Sequence, residues 1–275
     1  MTVKTKRIKY HFLVIVLSAI FFVSMPTTLS AQFYEPITEL TRVNSFQQLE
    51  DSEDLVTLAF AMMNHDLIDA NEDGSITINQ LLEEVEHVDG SISHAIVSNT
   101  MLLLDCDFNQ IIIDRSMLSG FHLNNEGFTI SNDLIAIESN VQSSMTIIDG
   151  VGSGSFYSWV VINRTYYTVH LSGVFGNPPS ARVTHMVGQV GSSGSSSARP
   201  INLRCGIRFS PNWVETPPTI VTNSLQNPVG RDLRLNNPHS TQIALTFWAE
   251  LWTVAEVTFS NGSVRSVTFD VTTGW

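Results

Sequence analysis

Lysine is absent after Lys9, and the 275 residues include only two cysteines, Cys106 and Cys205. Two thiols cannot build a disulfide framework, so the fold must rest on buried apolar surface. Alternation along Ile201–Phe209 places Cys205 on the apolar side of a strand, as a core thiol. A bridge to Cys106 in an oxidising compartment is the alternative. Catalytic signatures are missing as well. The chain has no His-Glu-x-x-His, no Gly-x-Ser-x-Gly and no paired cysteines at zinc spacing. His170 and His185 fall on separate candidate strands. The expectation is a protein without catalytic residues, not an enzyme.

Long apolar runs are also scarce. The one at Phe12–Met25 is shorter than the ~20 residues a membrane-spanning helix needs. Lys4, Lys6, Arg7 and Lys9 precede it, and Leu29-Ser30-Ala31 follows it. This reads as an export signal over residues 1–31, cleaved after Ala31. The expected location is secreted or extracellular, with no stable membrane span after cleavage. An uncleaved anchor is the alternative.

Charge is distributed unevenly. Residues 32–150 hold 21 acidic and 2 basic residues, a net of −19. Residues 151–275 hold 5 acidic and 8 basic residues, a net of +3. Such acidity argues against nucleic acid as a partner and suits cations or a basic surface. Domain boundaries are expected at 32–142 and 143–275.

What the acidic half does contain is Asp69-Ala70-Asn71-Glu72-Asp73-Gly74-Ser75-Ile76-Thr77-Ile78-Asn79-Gln80. Oxygen-bearing residues fall at the first, third, fifth, seventh, ninth and twelfth places, with glycine at the sixth. Alternate residues of a tight loop can aim oxygens at one hard cation. Asp54–Met63 before the loop reads as a buried helix. After it, Leu81, Leu82, Val85 and Val88 follow helical spacing. Thr77 and Gln80 also fit a capping box for an exiting helix.

The loop and its flanks resemble the EF-hand calcium-binding family, over roughly residues 50–120. The resemblance implies a calcium ion held by Asp69, Asn71, Asp73, the Ser75 carbonyl, Thr77 and Gln80. Gln80 departs from the usual bidentate glutamate and lowers the implied affinity. A partner loop begins 36 residues later (105 − 69), with Asp105, Asp107 and Asn109 at its first three side-chain places. Gln110 there replaces the glycine and Ser116 the glutamate, so its ion binding is doubtful and a supporting half-hand is the plainer reading. Ile112 is expected to bridge to Ile76, and Ser93–Leu104 to form the entering helix.

From about residue 143 the pattern has period two. Candidate strands are Ser144–Ile148, Phe156–Asn163, Tyr166–Phe175, Arg182–Val190, Ile201–Phe209, Thr219–Ser224, Gln242–Ala249, Val254–Ser260 and Val264–Val271. Asn261-Gly262 is a two-residue hairpin signal. Asn163-Arg164-Thr165 and Asn261-Gly262-Ser263 are N-glycan acceptor sequons, relevant only in a host that glycosylates. Trp248 and Trp252 suit a sugar-binding floor or, more plainly, core packing. Arg204 and Arg208, opposite Cys205, suit anionic glycans or the acidic first half.

The expected fold class is therefore α+β and multidomain: an N-terminal helical EF-hand pair, then an antiparallel β-sandwich or jelly roll. The expected function is secreted, calcium-binding adhesion or recognition of a glycan or protein through the β-domain. The alternative is a lectin-like surface-binding module whose EF-hand remnant is purely structural.

Overall fold

Leu102, Leu103 and Leu104 are all buried. Successive strand side chains point to opposite faces, so consecutive buried leucines require cover on both sides of a sheet. The structure, a computed structural model, supplies that cover with a small sheet on one face and a helix on the other. It describes residues 40–123, 127–131, 134–138, 145–147, 154, 156–171, 180–193, 199–210, 219–238, 243–244 and 250–271. All of these belong to one compact unit, residues 35–275.

Strand β1 (Leu40–Ser45) and helix α1 (Ser52–Asn64) precede the long strands β2 (Ile76–His87) and β3 (Ile92–Leu104). Four short strands follow: β4 (Phe121–Leu123), β5 (Phe128–Ser131), β6 (Leu134–Ile137) and β7 (Met145–Ile147). Then come β8 (Trp159–Leu171), β9 (Ser180–Ser192), β10 (Pro200–Ser210) and β11 (Thr219–Gln226). The last are β12 (Leu233–Asn236), β13 (Ile243–Ala244), β14 (Glu250–Phe259) and β15 (Val264–Asp270). The large sheet runs β12-β9-β8-β3-β2-β6-β5, with β1 also on β2 and β13 also on β9. Among the described residues only β2 and β6 pair in parallel. The small sheet runs β11-β10-β14-β15, and β4 pairs with β7.

One core lies between the two sheets. Leu104, Val161, Tyr167 and Val183 of the large sheet meet Cys205, Ile207, Val257 and Phe259 of the small one. Its centre holds a polar knot. Asn163 Nδ2 donates to Thr253 Oγ1 at 2.9 Å and to the Thr253 carbonyl at 3.1 Å, and both residues are fully buried. A buried amide is tolerated only when partnered, so this knot fixes how β8 packs against β14. It also closes the Asn163 sequon to any glycan. Burial pushes the neighbouring Tyr167 phenol up to about 12.

The second core lies under α1. Every residue from Leu55 to Met63 is buried, against Ile76, Ile78, Met101, Leu103, Val160 and Ile162. Asp51 caps the helix, accepting hydrogen bonds from the backbone N–H of Glu53 (2.7 Å) and Asp54 (3.1 Å), a contribution of about 1 kcal/mol.

The expected α+β arrangement, a helical EF-hand pair before a separate sandwich or jelly roll, is overturned. The protein is mostly β, and α1 is the one α-helix among the described residues. The segment after the loop is strand β2 and not an exiting helix. A β-bulge between Leu81 and Glu83 inserts Leu82 and shifts the alternation, which produced the helical spacing. The supposed entering helix, Ser93–Leu104, is strand β3. It is central and covered on both faces, so its apolar run shows no alternation. β2 and β3 share one sheet with β8 and β9, so this sheet draws strands from both sides of residue 142.

In the second half, β8 is one strand where two are expected, because its polar centre Asn163-Arg164-Thr165 looks like a turn. β12 was not anticipated. The export signal, Trp248, and most of the expected strand Gln242–Ala249 lie outside the described residues. Among the described residues no helix is long and apolar enough to cross a membrane.

Candidate functional site

The Asp69–Gln80 segment forms a tight turn and then enters β2. Ala70 and Ile76 close it as an antiparallel bridge. Within it, Asn71 N–H donates to the Ser75 carbonyl and Gly74 N–H to the Asn71 carbonyl, both at 2.8 Å. Gly74 takes φ +73, a conformation glycine adopts without a Cβ clash. Asp73 Oδ1 accepts from Ser75 N–H (2.9 Å) and Ser75 Oγ–H (2.6 Å). Asn71 Nδ2 donates to Ser75 Oγ (2.8 Å) and Thr77 Oγ1 (3.0 Å).

The same turn recurs twice. Between β2 and β3, His87 N–H donates to the Ser91 carbonyl at 2.9 Å and Gly90 takes φ +78. Asp89 Oδ1 there accepts from Ser91 N–H at 2.9 Å. Between β14 and β15, Phe259 N–H donates to the Ser263 carbonyl at 2.9 Å and Gly262 takes φ +86. Asn261 Oδ1 accepts from Ser263 N–H at 3.0 Å. These are three-residue hairpin loops ending in a left-handed glycine. The Asp-Gly-Ser part of the acidic motif thus coincides with turn chemistry used elsewhere in the chain.

The structure brings Asn71, Asp73, Ser75 and Thr77 together and leaves Gln80 apart. Gln80 lies four residues along β2 from Ile76, about 13 Å at the rise of an extended strand. It is fully buried and accepts from Asn99 Nδ2 at 3.1 Å. Asp69 contacts the Arg115 guanidinium, which also contacts Asp66. The Ser75 carbonyl accepts from Asn71, as above.

In the second loop Asp105 Oδ1 accepts from Asp107 N–H (2.8 Å) and Asn109 N–H (2.9 Å), and Oδ2 accepts from Asn109 Nδ2 (3.1 Å). Burial alone would raise the Asp105 carboxyl, but the bonds from Asn109 and Asp107 outweigh it and lower its proton affinity. The positive φ falls on Phe108, at +63. Asp105 N–H donates to the Asn109 carbonyl as Asn71 N–H does to Ser75. The two turns therefore match at an offset of 34 residues (105 − 71), and not at the expected 36. Phe108 is buried against Phe259, ring centroids 4.2 Å apart, which offsets the strain of about 1–2 kcal/mol. Ile112 is 84% exposed, and Ile76 pairs instead with Met101. Among the described residues no three His, Cys, Asp or Glu side chains converge as a metal set. No disulfide joins the two cysteines: Cys106 is exposed and Cys205 buried.

A second candidate is the outer face of the small sheet. Cys205 and Ile207 point into the core, so Arg204, Gly206 and Arg208 point outward. Arg204 pairs with Glu256 and Arg208 with Trp252, and Trp252 pairs with Asp270. The Arg208 guanidinium carbon lies 5.5 Å from the Trp252 ring centre. Gly206 sits between the two arginines, buried beneath neighbouring side chains, and a Cβ there would press on Val254 Cγ1 at 3.2 Å. Arg204, Thr222, Ser224, Ser266 and Thr268 are exposed around it.

The contacts of Arg115 with Asp66 and Asp69, and the approach of His87 to His170, are not legible in the sequence. The geometry defines a β-protein with two packed sheets and two surface features, the paired acidic turns and the arginine–tryptophan face. No family model, no curated protein and no solved structure matches the chain.

Proposed function

We propose that this is an exported, non-enzymatic recognition protein that binds an extracellular glycan through the outer face of the β11-β10-β14-β15 sheet. The Asp69–Gln80 loop serves it as a structural turn. One observation carries the reading: Arg208 lies over Trp252, with Arg204 and Glu256 on the same face. An indole packed with a guanidinium offers apolar surface to a sugar ring and N–H donors to its hydroxyls or carboxylates. A glycan array run with and without chelator tests it. Glycan binding that ignores the chelator supports the reading. An array on which nothing binds sinks it.

A second reading has the loop hold calcium. It is favoured by the side-chain oxygens of Asp73, Ser75 and Thr77 gathering in one turn around the Asn71 side chain. Extracellular sites of this kind bind at about 0.1–1 mM. Calorimetric heat at such concentrations, lost in Asp69→Ala and Asp73→Ala, would support it. Absence of heat removes it.

A further inference from the structure

His87 near the end of β2 and His170 near the end of β8 are each 7% exposed. Between them stands Ser93 of β3. Its Oγ lies 2.8 Å from His87 Nε2 and 2.9 Å from His170 Nδ1, with the ring centroids 5.7 Å apart. One hydroxyl thus links three adjacent strands.

A serine hydroxyl has a single proton, so it donates to one ring and accepts from the other. His87 Nδ1 is buried with no partner among the described residues. A buried N–H without an acceptor is rarer than a buried bare acceptor, so the His87 proton belongs on Nε2. The chain then runs from His87 Nε2–H to Ser93 Oγ–H to His170 Nδ1. A proton added to His170 Nδ1 would set two N–H donors against one oxygen and leave the Ser93 hydroxyl without its acceptor. A proton added to His87 would create a buried, unpartnered N–H.

Cross-strand pairing identifies what else shares this face. β1 presents Val43 and Ser45, and β3 presents Ser93 and Ala95. β8 presents Thr168, and β9 presents Ser180 and Arg182. The charged groups there are Glu83 of β2, Arg182 of β9 and Asp89 of the β2–β3 turn. Burial, then the His87 ring, lower the proton affinity of His170, and Asp89 offsets this only in part.

We propose that His87, Ser93 and His170 form a proton-operated lock tying the end of the β2–β3 hairpin to β8. It is closed with His170 neutral and opened by acid. A depressed folded proton affinity means the stabilisation is complete above the ordinary histidine value of about 6.5 and lost as pH falls below it.

Amide hydrogen exchange on the full chain at pH about 7.5 and about 5, corrected for intrinsic rates, tests the lock on either side of that value. Protection over residues 87–94 and 169–171 should drop at least tenfold in acid, with β14 and β15 unchanged. His170→Gln should abolish the pH response, while Ser93→Thr and His185→Gln retain it. Equal protection at both pH values would overturn the lock, as would an undiminished response in His170→Gln. If that variant does not fold, imidazole titration of the wild type by NMR decides. His170 titrating below about 6.5 supports the lock, and titration at the ordinary value contradicts it.

Discussion

Gln110 Nε2 donates a 2.6 Å hydrogen bond to the Asp73 carbonyl, and the Gln110 amide fills the space beside Gly74. The residue that breaks the glycine pattern of the second loop is the one that fastens it to the first. Gly74→Ala should cost about 2 kcal/mol, half from the left-handed backbone and half from the displaced Gln110 bond. Gln110→Ala should cost about 1 kcal/mol. In the double variant the two losses should fall short of additive, since only the backbone part of the glycine substitution remains. Chemical denaturation of the three variants measures this.

Arg164 is 2% exposed. It donates to the Leu49 and Glu50 carbonyls and, at 2.7 Å, to Gln189 Oε1. It pins the strap leading into α1 onto β8. Arg164→Met should destabilise by about 2–4 kcal/mol, because the buried Leu49 carbonyl and the part-buried Glu50 carbonyl lose their donor. Arg164→Lys should lie between, since a single ammonium cannot reproduce the planar fork. Exchange of α1 amides should rise first.

A Cβ on Gly188 would collide with Cys205 Sγ and meet Leu203 Cδ2 at 3.3 Å. Gly188→Ala should therefore cost about 1–3 kcal/mol through overpacking. Cys205→Ala should relieve part of it, giving a coupling of about 1 kcal/mol in a double-mutant cycle. Burial pushes the Cys205 thiol up to about 12. Alkylation at neutral pH should modify Cys106 alone until the protein unfolds.

His185 stacks on Tyr166, ring centroids 4.1 Å apart and 12° from parallel. Burial, aided by Arg234, lowers its pKa to about 4. A lowered histidine value means the unfolded chain binds the proton first. This contribution is complete above about 6.5 and lost as pH falls towards 4. His185→Gln should flatten that part of a melting-temperature profile between pH about 7 and 4.

The sequence made α1 readable, because Leu55–Met63 is apolar except for Thr57 and carries no turn signals. It made β9, β10, β14 and β15 readable, because each has one face in the core and one outside. It concealed β3, whose Thr100–Leu104 run is covered on both faces, and the centre of β8, whose Asn163, Arg164 and Thr165 are polar yet buried. The acidic loop misled for a local reason: Asp73-Gly74-Ser75 satisfies hairpin geometry and cation-loop spacing alike. His87, Ser93 and His170 carry no local motif, since 77 residues separate the last two. Only the pairing of β3 with β8 brings them together.

Glycan recognition rests on the arginine–tryptophan face. The most direct measurement takes a glycan selected on the array and compares its affinity for the wild type, Trp252→Ala and Arg208→Ala, each with chelator present. The predicted result is a loss of tenfold or more in both variants, about 1.4 kcal/mol or greater, with melting temperatures close to wild type and no effect of the chelator. Unchanged affinity in both variants, or binding that vanishes with the chelator in the wild type, would contradict it.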